Sequence, residues 1–92
     1  MIQPLFMQLT ATDVTGQKRV QAKRVRMDST MSEVIDDLLP RLQLPASDPS
    51  GRALTYHARL DREGRHVHSS EIVGEALLQD DSLTLQPNVD AG

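Results

Sequence analysis

Two histidines, His66 and His68, are two positions apart in a segment that alternates like a strand, so their side chains are expected to point the same way. Imidazoles at this spacing can bind a metal ion, and Glu63 and Glu71 are the carboxylates close by in the sequence. The chain has no cysteine to add to them. Exposed strand histidines are the commoner source of this pattern, and the sequence predicts no metal site.

Asp61, His68, Ser69 and Ser70 include the residue types of a hydrolytic triad. A chain of 92 residues has little room for a cleft with substrate walls, and nothing in the pattern gathers these side chains around one. Capping and turn roles fit them better. We expect no enzyme activity and no bound cofactor.

The strands and helices that position these residues begin with a predicted hairpin. Leu5 to Leu9 alternates between apolar and polar faces, and a turn containing Gly16 follows. A second strand is predicted from Lys18 to Met27. Its apolar phase slips between Ala22 and Val25, so either a bulge restores the pattern or only one half of the strand faces the core.

A helix start is predicted at Thr30, because Glu33 follows at the spacing of a capping box. Apolar residues then recur at steps of three and four, which indicates one buried stripe. The stripe consists of Met31, Val34, Ile35, Leu38, Leu39 and Leu42. Pro40 interrupts it and predicts that the helix kinks or ends near Leu39.

Three more strands are predicted in the second half of the chain, with a helical turn or short helix between the last two. The strands cover Leu54 to Leu60, Arg65 to His68, and Leu83 to Leu85, and the helical segment falls within Ser69 to Leu78. This order predicts an α+β protein in which a four- to five-stranded mixed sheet packs on one helix.

The predicted domain spans residues 1–87, and residues 88–92 form a mobile tail because apolar periodicity stops after Pro87. The start, Met1 to Met7, has neither a basic signal region nor a membrane-spanning apolar run. The lack of cysteine fits a reducing compartment. We expect a soluble cytoplasmic protein without membrane contact.

Basic residues concentrate on the second predicted strand, although the formal net charge of the chain is −3. They are Lys18, Arg19, Lys23, Arg24 and Arg26. Three interpretations remain open: protection of a sheet edge, docking onto an acidic surface of a partner, and nucleic-acid binding. The absence of interleaved aromatic residues weighs against nucleic acid.

Three stretches carry a resemblance to a known family. They are Thr30-Met31-Ser32-Glu33-Val34, Leu44-Pro45 just past the helix, and Asp81-Ser82-Leu83-Thr84-Leu85 before the tail. In order and spacing the chain resembles ubiquitin and other ubiquitin-like β-grasp proteins, and Arg62-Glu63-Gly64-Arg65 looks like a stretch of the bacterial ubiquitin-like modifiers. The sequence departs from ubiquitin in ending Ala-Gly and in Asp90. It also has polar residues at the outward positions of the third and last strands, which are Thr55, His57, Arg59, Thr84 and Gln86.

The resemblance implies that Gly92 is the site of conjugation. A partner activating enzyme would use ATP to activate the Gly92 carboxylate and pass it to a thiolate as a thioester, and a residue without a Cβ suits a narrow channel. The channel would hold the preceding tail residues, which are Pro87, Asn88, Val89, Asp90 and Ala91.

The partners that the resemblance implies are activating and conjugating enzymes, a deconjugating protease and a protein target. Two alternatives stay open. One is a non-conjugated interaction module of the kind found in secretion loci, which could also self-associate through exposed strand edges. The other is a sulfur carrier, in which Gly92 would become a thiocarboxylate.

Overall fold

The N-terminal hairpin consists of β1 (Phe6–Asp13) and β2 (Arg19–Arg26), in a computed structural model that describes residues 5–88. Met7 pairs with Val25 and Leu9 with Ala22, so β1 advances two residues while β2 advances three. The extra residue is a β-bulge, which keeps Ala22 and Val25 on the inner side despite the phase slip. The bulge, one of the two predicted alternatives, is therefore confirmed.

The first helix, α1, spans Met31–Arg41 and begins with the predicted capping box. The Glu33 N–H donates to Thr30 Oγ1 at 3.3 Å, and the Thr30 N–H donates to Glu33 Oε1 at 3.1 Å. These bonds satisfy two backbone donors that the helix itself leaves unpaired.

Of the two outcomes predicted for Pro40, a kink or an end near Leu39, the end does not occur there, since the helix continues through Pro40 to Arg41. Proline removes one donor, but the Leu42 N–H still reaches the Leu38 carbonyl at 2.9 Å. The helix then stops in a Schellman motif. Gln43 adopts a left-handed φ of 55°, and the Leu44 N–H donates to the Leu39 carbonyl at 3.1 Å.

The second half of the chain adds β3 (Tyr56–Leu60), β4 (Arg65–Val67), the short helix α2 (Val73–Ala76) and β5 (Asp81–Pro87). β3 begins two residues later than predicted and β4 ends one earlier. β5 is longer than predicted at both ends, because its first residues pair with β1 and its last residues, Gln86 and Pro87, pair with β3.

The five strands form one sheet in the order β2-β1-β5-β3-β4. β1 and β5 run parallel, and the other neighbouring pairs are antiparallel. The sheet is mixed as predicted, and the α+β class is confirmed.

The core lies between α1 and the inner face of the sheet. Buried side chains of α1 (Met31, Val34, Ile35 and Leu38) join those of the strands, which include Leu9, Leu60, Leu83 and Leu85. Leu42 is buried beyond the helix end, whereas Leu39 is only half-buried. Aliphatic packing therefore replaces aromatic packing in this core.

α2 closes one end of the core next to the start of α1. The Val73 N–H donates to the Ser29 carbonyl and the Gly74 N–H to the Met27 carbonyl, both at 2.9 Å. A Cβ at Gly74 would stand 2.7 Å from the Met27 oxygen, so this close approach requires glycine. Within residues 5–88, no helix is long and apolar enough to cross a membrane.

Candidate interaction surface and tail root

The tail leaves the sheet beside the start of β3. Pro87, the last residue of β5, pairs with Tyr56, and the Asn88 N–H then donates to the Thr55 carbonyl at 2.8 Å. The Asn88 side-chain amide donates to Thr55 Oγ1 at 2.9 Å, and its oxygen contacts Nδ1 of His57. We call Pro87 and Asn88 the tail root. These bonds hold Asn88 beside the start of β3.

The other residues of the predicted tail are Val89, Asp90, Ala91 and Gly92, and they lie outside the described residues. Conjugation at Gly92 therefore stays a prediction from the sequence. What the structure adds is the position and the surroundings of the tail root.

An apolar groove of about 530 Å³ lies next to the tail root. Its apolar wall is formed by Val14, Leu44, Pro45, Leu54, Tyr56, Leu85 and Pro87. The Tyr56 hydroxyl donates to the Pro45 carbonyl at 2.8 Å, and burial raises the pKa of Tyr56. This bond ties the loop after α1 to β3 and so shapes one side of the groove.

Charged residues form the rim of the groove, among them Asp48 and Arg52. A hydrogen bond from the Ser50 hydroxyl at 2.7 Å and one from the Arg52 N–H at 2.9 Å lower the pKa of Asp48. The groove thus combines an apolar floor with an ordered polar loop, a composition that suits contact with another protein.

The five basic residues predicted as a docking group do not form one cluster. Lys18 turns toward the end of α1, where its Nζ donates to the Gln43 carbonyl at 3.0 Å. Arg24 lies 5.0 Å from the centre of the Phe6 ring, and Arg26 pairs with Asp28 at 2.9 Å, which raises the pKa of Arg26. Lys23 and Arg24 are at the bulge, and Arg19 is at the other end of β2.

We call the side of the sheet opposite α1 the outer face. Along β1 and β5, the buried residues Ala11, Leu83 and Leu85 point inward, so Thr12 and Thr84 point outward. Residues that pair directly across strands share a face. The registers therefore place one row on the outer face across all five strands, and it consists of Arg19, Thr12, Thr84, Arg59 and His66.

His57 and His66 stack on the outer face, with ring centroids 4.3 Å apart. Nε2 of His57 lies 3.0 Å from Oε1 of Gln86, so this ring links β3, β4 and β5. The contact between His57 and Asn88 connects the same cluster to the tail root. The sequence marked His57 and Gln86 as outward and polar, but it gave no sign of the stacking between β3 and β4.

His66 and His68, the two histidines that the sequence offered as metal ligands, each contact a different residue. His66 stacks on His57, whereas Nδ1 of His68 lies 2.8 Å from the Ser70 hydroxyl. Glu63 accepts from Arg65 at 2.8 Å, and Glu71 accepts the His68 N–H at 2.6 Å. Among residues 5–88, no three His, Asp or Glu side chains converge on a point that could hold a metal ion.

The residues with the side-chain types of a hydrolytic triad form hydrogen bonds in different parts of the structure. Asp61 accepts a hydrogen bond from the Thr84 hydroxyl at 2.8 Å, on the outer face. His68 and Ser70 bond to each other in the turn before α2. The bonds of His68 and Ser70 thus lie within a turn, whereas the bond of Asp61 reaches β5.

Comparison with solved structures gives several matches over almost the whole chain. The ubiquitin of Caldiarchaeum subterraneum is 17% identical and superposes with a TM-score of 0.67, over 96% of this chain and 100% of that one. The UBL domain of yeast Ddi1 is 17% identical, with a TM-score of 0.62 and full coverage of both chains. The chain has the ubiquitin-like β-grasp fold.

A third ubiquitin-like structure agrees. The C-terminal ubiquitin-like domain of mouse tubulin-specific chaperone e is 13% identical, with a TM-score of 0.61, over 100% of this chain and 96% of that one. No protein-family model matches the sequence, and the search of curated proteins gives no significant match. The predicted ubiquitin-like fold is confirmed, and the resemblance to bacterial modifiers stays a prediction.

Proposed function

We propose that this ubiquitin-like protein is a cytoplasmic protein modifier whose C-terminal glycine is activated by a partner enzyme. The proposal applies to a chain that ends at Gly92, whether by nature or after a protease has exposed that residue. The tail root carries the proposal. The bonds from Asn88 to Thr55 hold the base of the tail at one end of the sheet, next to an apolar groove that a partner can contact.

The proposed chemistry uses groups of the partner enzyme, and this chain supplies no catalytic residue or cofactor. The Gly92 carboxylate attacks the α-phosphate of ATP, which releases pyrophosphate and leaves an acyl-adenylate. A partner cysteine thiolate then displaces AMP and forms a thioester, and an amine of the target displaces the thiolate. The side chain of Ala91 is one methyl group, so the final dipeptide stays slim enough for a narrow channel.

The proposal is tested by mixing the protein with an activating-type enzyme of the same organism and ATP. We expect a covalent adduct that disappears on treatment with a thiol. Deletion of Gly92 should abolish the adduct, whereas Ala91→Gly, which keeps the terminal glycine, should preserve it. If no adenylate or thioester forms, or if deletion of Gly92 leaves the adduct intact, the modifier proposal is wrong.

A non-conjugated interaction module is the second candidate. Two of the similar structures are described as ubiquitin-like domains of other proteins, Ddi1 and tubulin-specific chaperone e. The polar outer face, organised across all five strands, supports binding without conjugation. In that case deletion of Gly92 would leave the biological activity unchanged. A mass gain from replacement of a carboxylate oxygen by sulfur would instead identify a sulfur carrier.

A further inference from the structure

The two sides of the molecule carry charge of opposite sign. On the helix side, Glu33, Asp36 and Asp37 are exposed on α1. On the outer face, Arg19 and Arg59 are exposed in the row that crosses the sheet, and His66 lies beside Arg59. Because the chain as a whole is acidic, with a net charge of −3, the basic outer face is a local feature and does not follow from the bulk composition.

Arg19 and Arg59 differ in their bonding from the arginines that are held in ion pairs. Arg26 is paired with Asp28, Arg41 with Asp37, and Arg62 with Asp81. Within residues 5–88, the guanidinium groups of Arg19 and Arg59 make no hydrogen bond or ion pair. Asp61, at the border of the outer face, is engaged by the Thr84 hydroxyl. Two guanidinium groups are therefore left to bind an external carboxylate.

The strand order sets the distance between these two arginines. β2 and β3 are separated by three inter-strand steps, through β1 and β5. At about 4.8 Å for each step, Arg19 and Arg59 lie roughly 14 Å apart. Acidic residues four positions apart in an extended chain are about 13 Å apart, at about 3.3 Å for each residue. Between the arginines, the hydroxyl groups of Thr12 and Thr84 already donate to the Leu83 carbonyl at 3.4 Å and to Asp61 at 2.8 Å, so the two arginines supply the donors for such a segment.

We infer that the outer face of the sheet binds an extended acidic segment of a partner protein, with two of its carboxylates four residues apart on Arg19 and Arg59. Nucleic acid fits this face less well. Single-stranded nucleic acid requires aromatic rings on which bases stack, and Phe6, at the border of the face, has the Arg24 guanidinium 5.0 Å above its ring. The inference concerns the ubiquitin-like domain and does not depend on conjugation at Gly92.

The inference is tested by titrating the full chain with a twenty-residue polyglutamate peptide at low salt and mapping amide chemical shifts. We expect the shifts to lie on the outer face, around Thr12, Thr84 and Arg59. Replacing both Arg19→Glu and Arg59→Glu should weaken binding by about tenfold or more, and raising the salt concentration should weaken it further. If the double glutamate variant folds poorly, the double variant with Arg19→Gln and Arg59→Gln replaces it, because it removes the two positive charges without adding negative ones.

The control is Arg41→Glu, which makes the same change in net charge as the single variant Arg59→Glu but lies on α1, away from the outer face. Arg41→Glu should bind the peptide almost as well as the unchanged protein. Equal weakening in Arg41→Glu and Arg59→Glu, or no binding at low salt, would overturn the inference. Tighter binding of an oligothymidylate of equal charge would overturn the preference for an acidic protein segment. Loss of the thioester at Gly92 affects none of these results, so the two proposals fail separately.

Discussion

Arg62 donates two hydrogen bonds to the Asp81 carboxylate, from Nε to Oδ1 at 2.9 Å and from Nη2 to Oδ2 at 3.1 Å. Asp81 is only 6% exposed, and it also accepts the Leu78 N–H at 2.7 Å. The pair joins the turn after β3 to the first residue of β5. The Arg62 guanidinium lowers the pKa of Asp81 although burial acts in the opposite direction.

Substitution of Asp81 tests how much this pair stabilises the fold. Asp81→Ala leaves the Leu78 N–H and the Arg62 guanidinium without their acceptor, so the free energy of unfolding should fall by about 2 kcal/mol. Asp80→Asn is the matched control, because it removes a neighbouring exposed charge and asparagine tolerates the left-handed φ of 66° at that position. Urea unfolding compares the two variants. Equal losses in both would contradict a special role for Asp81.

The same pair predicts a loss of stability in acid. The pKa of Asp81 is lowered on folding from its ordinary value of 3.8. A group with a depressed folded pKa stabilises the protein above the unfolded pKa, and this contribution is lost as the pH falls through the folded pKa. The free energy of unfolding should therefore decrease progressively below pH 3.8. Asp81→Asn should flatten this part of the profile, and an unchanged slope would show that other carboxylates control it.

The parts of the fold that the sequence predicts depend on residues close together along the chain. The capping box joins Thr30 and Glu33, and the bulge follows from a phase slip within a single strand. Arg62 and Asp81, by contrast, are separated by 19 positions, and neither residue alone indicates the other. Their bond could not be predicted before the course of the chain between β3 and β5 was known.

Separation along the chain also explains why the sequence predicted the residues of the outer face but not their arrangement. Basic residues on β2 and polar outward residues on β3 and β5 are visible in the sequence. These residues form one row only because β1 and β5 pair in parallel in the middle of the sheet. The two strands come from opposite ends of the chain, so the sequence does not show that they are neighbours. The helix α1 passes through Pro40 because the proline removes only one backbone donor, while the bond from the Leu42 N–H to the Leu38 carbonyl still forms.

Among the four glycines that the structure describes, Gly74 is predicted to tolerate a side chain least, for steric reasons. In Gly74→Ala the new Cβ would lie 2.7 Å from the Met27 oxygen and 2.8 Å from the Met27 Cβ. Because the first of these contacts is backbone, α2 must move away from the hairpin, and the free energy of unfolding should fall by about 2 kcal/mol. Glu75→Ala, at the next and exposed position, should change it by less than about 0.5 kcal/mol. Thermal unfolding of both variants checks this difference.

Gln43 offers the opposite case, a position where glycine should stabilise the protein. Its φ of 55° lies in the left-handed region, which costs a residue with a Cβ about 1 kcal/mol. Gln43→Gly removes that strain and keeps the backbone bonds of the Schellman motif, among them the bond from the Leu44 N–H to the Leu39 carbonyl. The greater freedom of glycine in the unfolded chain offsets part of the gain, so the free energy of unfolding should rise by about 0.5 kcal/mol.

The same substitution in β2 supplies the control. Gln21 is exposed and extended, so Gln21→Gly relieves no strain and should lower the free energy of unfolding by about 0.5 to 1 kcal/mol. Denaturant unfolding of the two variants should therefore give changes of opposite sign. If Gln43→Gly loses as much stability as Gln21→Gly, then the left-handed φ of Gln43 does not limit the stability of the protein.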